Sequence, residues 1–172
     1  MQGVKSVVET RWLNAEEQRT WHAFLRATRP LFAQLERDLQ RGAGMPLTYY
    51  EVLSVLSDTP GRALRMSELA DALQVSPSRL SHAVARLEGA GWVQRELCPA
   101  DRRSWFARLT EEGFTVLEAA APCHVESVRE HLFDQLTSTQ LDQLRDISES
   151  LQRHLSSSAA GSRDAIMLTS SL

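Results

Sequence analysis

Only two cysteines occur in the 172 residues, Cys98 and Cys123, and they are far apart in the chain. Thiols this sparse exclude a disulfide framework and fit a reducing compartment. No apolar stretch approaches the ~20 residues that span a bilayer. Met1 to Thr10 has no apolar leader core, so the expected location is the cytoplasm, with no membrane partner. Phosphate-binding glycine loops, nucleophile elbows and His-Glu-x-x-His helices are missing, which argues against an enzyme. Cys123, His124 and His131 are spaced too loosely to make a metal site, so no metal is expected, and no cofactor is implied. No repeat of fixed period is present.

The charge that is present is unevenly placed. The whole chain carries −3 at pH 7. Between Ser76 and Arg108, six arginines (79, 86, 95, 102, 103 and 108) stand against Glu88, Glu96 and Asp101, a local balance of +3 that leaves −6 for the remainder. A basic module inside an acidic carrier is what neutralising nucleic-acid phosphates requires, whatever the mean charge.

Local signals set the expected elements. Asn14 and Glu17 have capping-box spacing, predicting a helix from there to about Gln40, with a kink or break at Pro30. Thr48 and Glu51 repeat the spacing for a second helix that ends before Asp58. Arg62 to Arg65 is an expected edge strand. Ser67 is expected to cap a short helix ending near Leu73, followed by the turn Gln74-Val75-Ser76. Ser76 then caps a helix with Pro77 at its first position, ending at Gly89-Ala-Gly91. Trp92 to Leu97 and Ser104 to Leu109 read as strands joined by the polar loop Cys98 to Arg103. Thr110 opens a long helix to about Gln135, with Pro122 an expected bend. Thr137 and Gln140 box the last helix, which is expected to end at Leu155 before a Ser/Ala/Gly-rich mobile tail, 156–172.

Two short helices joined by a tight turn and followed by a hairpin make a winged helix-turn-helix, whose second helix suits the major groove. Leu80, Ala83, Val84 and Leu87 recur at helical spacing and point inward. Ser78, Arg79, Ser81, His82, Ala85 and Arg86 then point outward, a set without a carboxylate. With the cap Ser76, the residues Ser78, Arg79, Ser81, His82 and Arg86 are the candidate DNA contacts: arginine can reach guanine in two-point fashion, and serine or histidine can reach bases or phosphates. At the hairpin tip, Asp101, Arg102 and Arg103 are the candidate wing contacts. An arginine there can enter a narrow minor groove, and Asp101 can orient it.

On Leu69-Ala-Asp-Ala-Leu-Gln-Val-Ser, Leu80-Ser-His-Ala-Val-Ala-Arg-Leu-Glu, Gly91-Trp-Val and Asp101-Arg-Arg-Ser before Leu109-Thr, the chain resembles the MarR family of bacterial transcription regulators. The likeness runs from Asn14 to Leu155. It implies a mostly α fold with a small β-hairpin wing, divided into an N-terminal dimerisation helix (1–45), a winged helix-turn-helix DNA-binding domain (46–109), C-terminal dimerisation helices (110–155) and the tail. The implied function is a homodimeric, sequence-specific regulator, a repressor, on a pseudo-palindromic double-stranded operator. The family pattern maps its wing arginine to Arg103, its acidic wing residue to Asp101, and the arginine late in its recognition helix to Arg86.

The resemblance also implies release by a small aromatic or anionic ligand. Trp21, His22, Phe24, Tyr49 and Tyr50 are the candidate pocket residues, against the alternative that these aromatics belong to core or dimer interface. Two other readings stay open: a winged-helix protein-interaction module, and a redox- or metal-responsive regulator acting through Cys98 or Cys123.

Overall fold

The computed structural model describes residues 10–98 and 101–168, without the side chains of 101–103 and 157–168. The elements run α1 (Ala15–Ala43), α2 (Leu47–Asp58), β1 (Ala63–Arg65), α3 (Met66–Ala72), α4 (Pro77–Gly89), β2 (Val93–Cys98), β3 (Asp101–Leu109), α5 (Glu111–His131) and α6 (Ser138–Leu168). The chain divides into two compact units, Met1–Ser127 and Val128–Leu172.

In the first unit, one apolar core joins Leu39 and Met45 to Val52, Leu53 and Leu56 of α2, Leu69 of α3, Leu80, Val84 and Leu87 of α4, Val93, Ala107 and Leu109 of the sheet, and Leu117 of α5. The sheet is antiparallel with order β1-β3-β2, so β1 is the expected edge strand. Val93 pairs with Leu109 and Arg95 with Ala107. Side chains alternate across a strand, so the face that supplies Val93, Ala107 and Leu109 to the core also carries Arg95 and Trp105.

Several local expectations hold. Asn14 Oδ1 accepts from the Glu17 amide at 2.9 Å while Glu17 Oε2 accepts from the Asn14 amide at 2.7 Å, closing the first capping box. Thr137 and Gln140 close theirs at 2.9 and 3.3 Å. Thr110 Oγ1 accepts from the Gly113 amide at 2.9 Å and so opens α5.

Others are corrected. Thr48 does not cap α2; the helix starts at Leu47, whose amide donates to Glu36 of α1 at 2.8 Å. A carboxylate arriving from a packed neighbour does the capping. Helix α3 likewise starts before Ser67, and Glu68 Oε2 accepts from the Arg65 amide at 3.2 Å. Helix α1 does not break at Pro30, which excludes the break and not the kink among the two expected outcomes, and α5 likewise continues through Pro122, where only a bend is expected. Each removes one N–H donor, and the flanking apolar residues Leu35, Leu39, Leu117 and Ala120, buried in the same helices, hold the rest in place. Helix α5 stops at His131 rather than Gln135, where a short 3-10 turn, Phe133–Gln135, takes over. The hairpin connection is shorter than expected, because Cys98 already pairs with Asp101 after a register shift at Leu97/Cys98.

In the second unit, α6 continues past Leu155 to Leu168. Its Ser/Ala-rich continuation contains no proline, and a single glycine costs a helix only ~1 kcal/mol. Leu144, Ile147, Leu151 and Leu155 lie exposed along α6, with Ile147 57% and Leu151 50% accessible. None of the helices among the described residues is long and apolar enough to cross a membrane.

Candidate nucleic-acid interface

The turn between α3 and α4 is held in a conformation that L-residues seldom take, with Gln74 at φ +53°. Val75 N–H donates back to the Ala70 carbonyl at 3.1 Å, closing the turn. Ser76 Oγ then accepts from the Arg79 amide at 3.3 Å, and Pro77 takes the first helical position. Four buried side chains, Leu80, Ala83, Val84 and Leu87, lock the roll of α4 about its axis. That roll decides everything on the other side. Ser76, Ser78, Arg79, Ser81, His82, Ala85 and Arg86 are all exposed, as the spacing predicts, and no carboxylate interrupts them.

A carboxylate of α2 lies within electrostatic range of this face. Glu51 of α2 has its pKa raised, first by burial and then by Glu36, while Arg79 opposes the rise. The Arg79 charge is therefore felt by the helix beneath it.

The hairpin stands beside α4. Arg95 Nε donates to Glu88 Oε2 at 2.7 Å and Arg95 Nη2 approaches it at 2.5 Å, tying β2 to the end of α4. The hydrogen bond from Arg95 holds the Glu88 carboxyl below its usual range. Arg108 bonds Glu96 across the hairpin at 2.9 Å and the Gly61 carbonyl at 2.8 Å. Arg62 lies 3.8 Å over the Phe114 ring and pairs with Glu111 at 3.1 Å. The base of the wing is thus anchored to both α4 and α5. Asp101, Arg102 and Arg103 belong to the backbone of β3, and their side chains lie outside the described residues.

Between α4 and the hairpin is a cleft of about 620 Å³, lined by Arg65, Met66, Ser67, Ser81, Glu88, Arg95, Ser104 and Trp105. Of these, only Ser81 was legible as a candidate contact. The alternation in β2 and β3 carried a signal for the rest. The core-facing side of the strands outruns the core, so Arg95 and Trp105 are left lining open space.

Three of the five candidate effector residues take part in ring pairs, and the structure does not gather the five into one pocket. Trp21 and Phe24 stack on exposed α1 with centroids 6.1 Å apart, and Tyr50 of α2 meets His124 of α5 at 4.4 Å. His22 lines a hollow with Leu25, Arg26, Arg29 and Pro30 of its own helix. Tyr49 is half-buried against the core. Burial pushes Tyr50 up and His124 down, and His124 Nδ1 has no hydrogen-bond partner among the described residues. Cys98 is buried, and Cys123 Sγ rests 3.5 Å from the Asp38 carbonyl. The described residues contain no cluster of three or more His, Cys, Asp or Glu suited to a metal.

A family model described as MarR family matches residues 43–104. The chain is 32% identical over 93 residues to the HTH-type transcriptional regulator PecS of Dickeya dadantii, spanning 54% of this chain and 55% of PecS. It therefore spans about half the length of that curated relative. Two solved structures from Streptomyces coelicolor match most of the chain. Sco3205, a MarR family transcriptional regulator in complex with DNA, is 50% identical with a TM-score of 0.82, covering 86% of this chain and 92% of its own. AbsC, of the same family, is 44% identical with a TM-score of 0.80, covering 86% and 99%.

Proposed function

The chain belongs to the MarR family, whose members are transcription regulators and not enzymes, and we propose that it works as a homodimeric repressor that grips a pseudo-palindromic operator. Each protomer lays α4 into the major groove and reaches the flanking minor groove with its wing. The observation that carries this reading is the exposed, carboxylate-free face of α4, locked outward by four buried side chains. The complex of its relative Sco3205 with DNA supports the same reading.

Arg79 and Arg86 read guanine edges, Ser76, Ser78, Ser81 and His82 contact bases or phosphates, and Asp101 orients one of the wing arginines, Arg102 or Arg103, toward the minor groove. Exposed apolar side chains on α1 (Trp21, Phe24 and Phe32) and just before it (Trp12), and separately on α6, favour a second copy as the partner that covers them. Two recognition helices then meet half-sites about one helical turn, ~10 bp, apart. A small aromatic or anionic ligand engaging Trp21, His22, Phe24, Tyr49 and Tyr50 favours a dimer whose helices no longer match that spacing, and the operator is released. Repression follows because an occupied operator is closed to the transcription machinery.

Fluorescence anisotropy with duplexes taken from upstream of its own gene tests the proposal. Arg79→Ala relaxes sequence preference by ~1–3 kcal/mol at one base pair, whereas Arg103→Ala weakens all duplexes. Binding unchanged in both variants overturns it. Adding a panel of aromatic acids to the same complex reads release directly.

A further inference from the structure

We infer that Arg62 is a positioning residue for the wing: it fixes the angle between the hairpin and α5, and operator affinity depends on it without any contact of its own to DNA. The inference rests on the reading of the wing as a DNA-binding element.

The backbone gives the first reason. Gly61 and Arg62 follow one another at φ +71° and +52°, where the chain turns from α2 into β1. Glycine adopts that region freely, whereas a residue with a side chain is strained there. The turn is closed by the Arg62 N–H, which donates to the Thr59 carbonyl at 2.8 Å, and a glycine would make the same bond. An arginine in this place is therefore held by what its side chain does.

That side chain reaches across a corner. Its guanidinium lies 3.8 Å over the ring of Phe114, which packs against the core from the first turn of α5. Arg62 Nη1 also pairs with Glu111 at 3.1 Å, but Glu111 is 92% exposed, so this pair contributes little. The ring contact is the ordered one. It completes a bracket around the corner where β3 passes into α5. On one side Thr110 is tied to the chain just before β2, its N–H to the Trp92 carbonyl at 3.1 Å and its hydroxyl to the Gly91 carbonyl at 2.8 Å. On the other side Ala63 of β1 pairs with Arg108 of β3, Arg108 donates to the Gly61 carbonyl at 2.8 Å, and Arg62 carries the connection on to α5. Without Arg62 the corner is held from one side only. A hairpin tip held too loosely loses its groove contact while the fold stays intact.

The test uses the full-length chain and a duplex that it enriches from a random library, with binding read by fluorescence anisotropy. Arg62→Gly removes the side chain and relieves the backbone together, two opposed effects of similar size, so the urea midpoint should stay near that of the wild type. Affinity should fall about tenfold, with the slope of log K against log salt unchanged, since no phosphate contact is lost. Arg62→Lys keeps a cation over the ring and should recover most of that loss. In the Arg62→Gly background, Arg103→Ala should cost much less than it does alone, because the wing is already misplaced, while Arg79→Ala should cost what it costs in the wild type.

Wild-type affinity in Arg62→Gly, or losses from Arg62→Gly and Arg103→Ala that add in full, overturn the assignment. A salt slope lower by about one would make Arg62 a phosphate contact and also overturn it. So does a weakening that tracks a fall in the urea midpoint, which would make Arg62 a prop of the fold and not of the wing. If Arg79→Ala relaxes sequence preference while Arg62→Gly binds as the wild type does, only the role of Arg62 falls. If the wild type enriches no duplex, the DNA reading falls with it.

Discussion

Gly113, buried in the first turn of α5, is the position where one added methyl group is expected to do most harm. A Cβ there would meet the Trp92 carbonyl oxygen far inside van der Waals contact, with the Trp92 carbonyl carbon at 2.8 Å and Leu109 Cδ1 at 2.9 Å. Leu109 can rotate away. The carbonyl cannot, because it is backbone at the start of the wing and accepts the Thr110 N–H at 3.1 Å. Two effects oppose each other in Gly113→Ala. Replacing glycine inside a helix stabilises by ~0.5–1 kcal/mol. Overpacking against fixed atoms costs ~1–3 kcal/mol, and weakening the Thr110–Trp92 hydrogen bond adds ~1 kcal/mol. The clash wins, leaving a net loss of roughly 2 kcal/mol, which in a chain of this size lowers Tm by about 5 °C. Gly89→Ala is the control, since its Cβ would have nothing within 4 Å; it should gain up to ~1 kcal/mol. Urea titrations and melts at one fixed protein concentration, which removes the effect of association on Tm, measure both. A Gly113→Ala protein as stable as the wild type, or two variants shifted in the same direction, refutes the reasoning.

Ser76→Ala removes the side-chain cap of α4 and should cost ~1 kcal/mol in urea unfolding, with m unchanged. For His124, burial disfavours the charged ring and lowers its pKa from 6.5. The unfolded chain therefore binds the proton more readily, so this contribution to stability is complete above pH 6.5 and is lost as pH falls from there toward the folded value. His124→Phe, which keeps a ring against Tyr50, should flatten the fall in Tm below pH 6.5 relative to the wild type, and equal slopes would exclude the effect. Ile147→Glu combined with Leu151→Glu places charge on the exposed apolar line of α6; light scattering should find monomers, and operator affinity should collapse with them.

Helix α4 was legible because its determinants are local. The Ser76 cap and Pro77 act on the turn they begin, and Leu80, Ala83, Val84 and Leu87 fix the outward set by periodicity alone. The cleft beside it was not legible as a unit. Arg65, Ser81, Arg95 and Ser104 come from β1, α4, β2 and β3, and only the strand register and the docking of α4 bring them to one place. The two strands of the wing are legible in the sequence but the length of their connection is not, since backbone pairing of Cys98 with Asp101 depends on a bulge that no residue type announces.

By itself the amino-acid order determined whatever closes within one helical turn or alternates along one strand: the boxes at Asn14 and Thr137, the roll of α4 and the inward side of β2 and β3. Those patterns span two to four residues and form as soon as the local backbone does. Tertiary structure decided the start of α2, capped by Glu36 eleven residues upstream, the passage of α1 through Pro30, and the meeting of Arg65 with the hairpin. Each of these depends on elements packed together, where burial of the shared core offsets a local preference that alone would have pointed elsewhere.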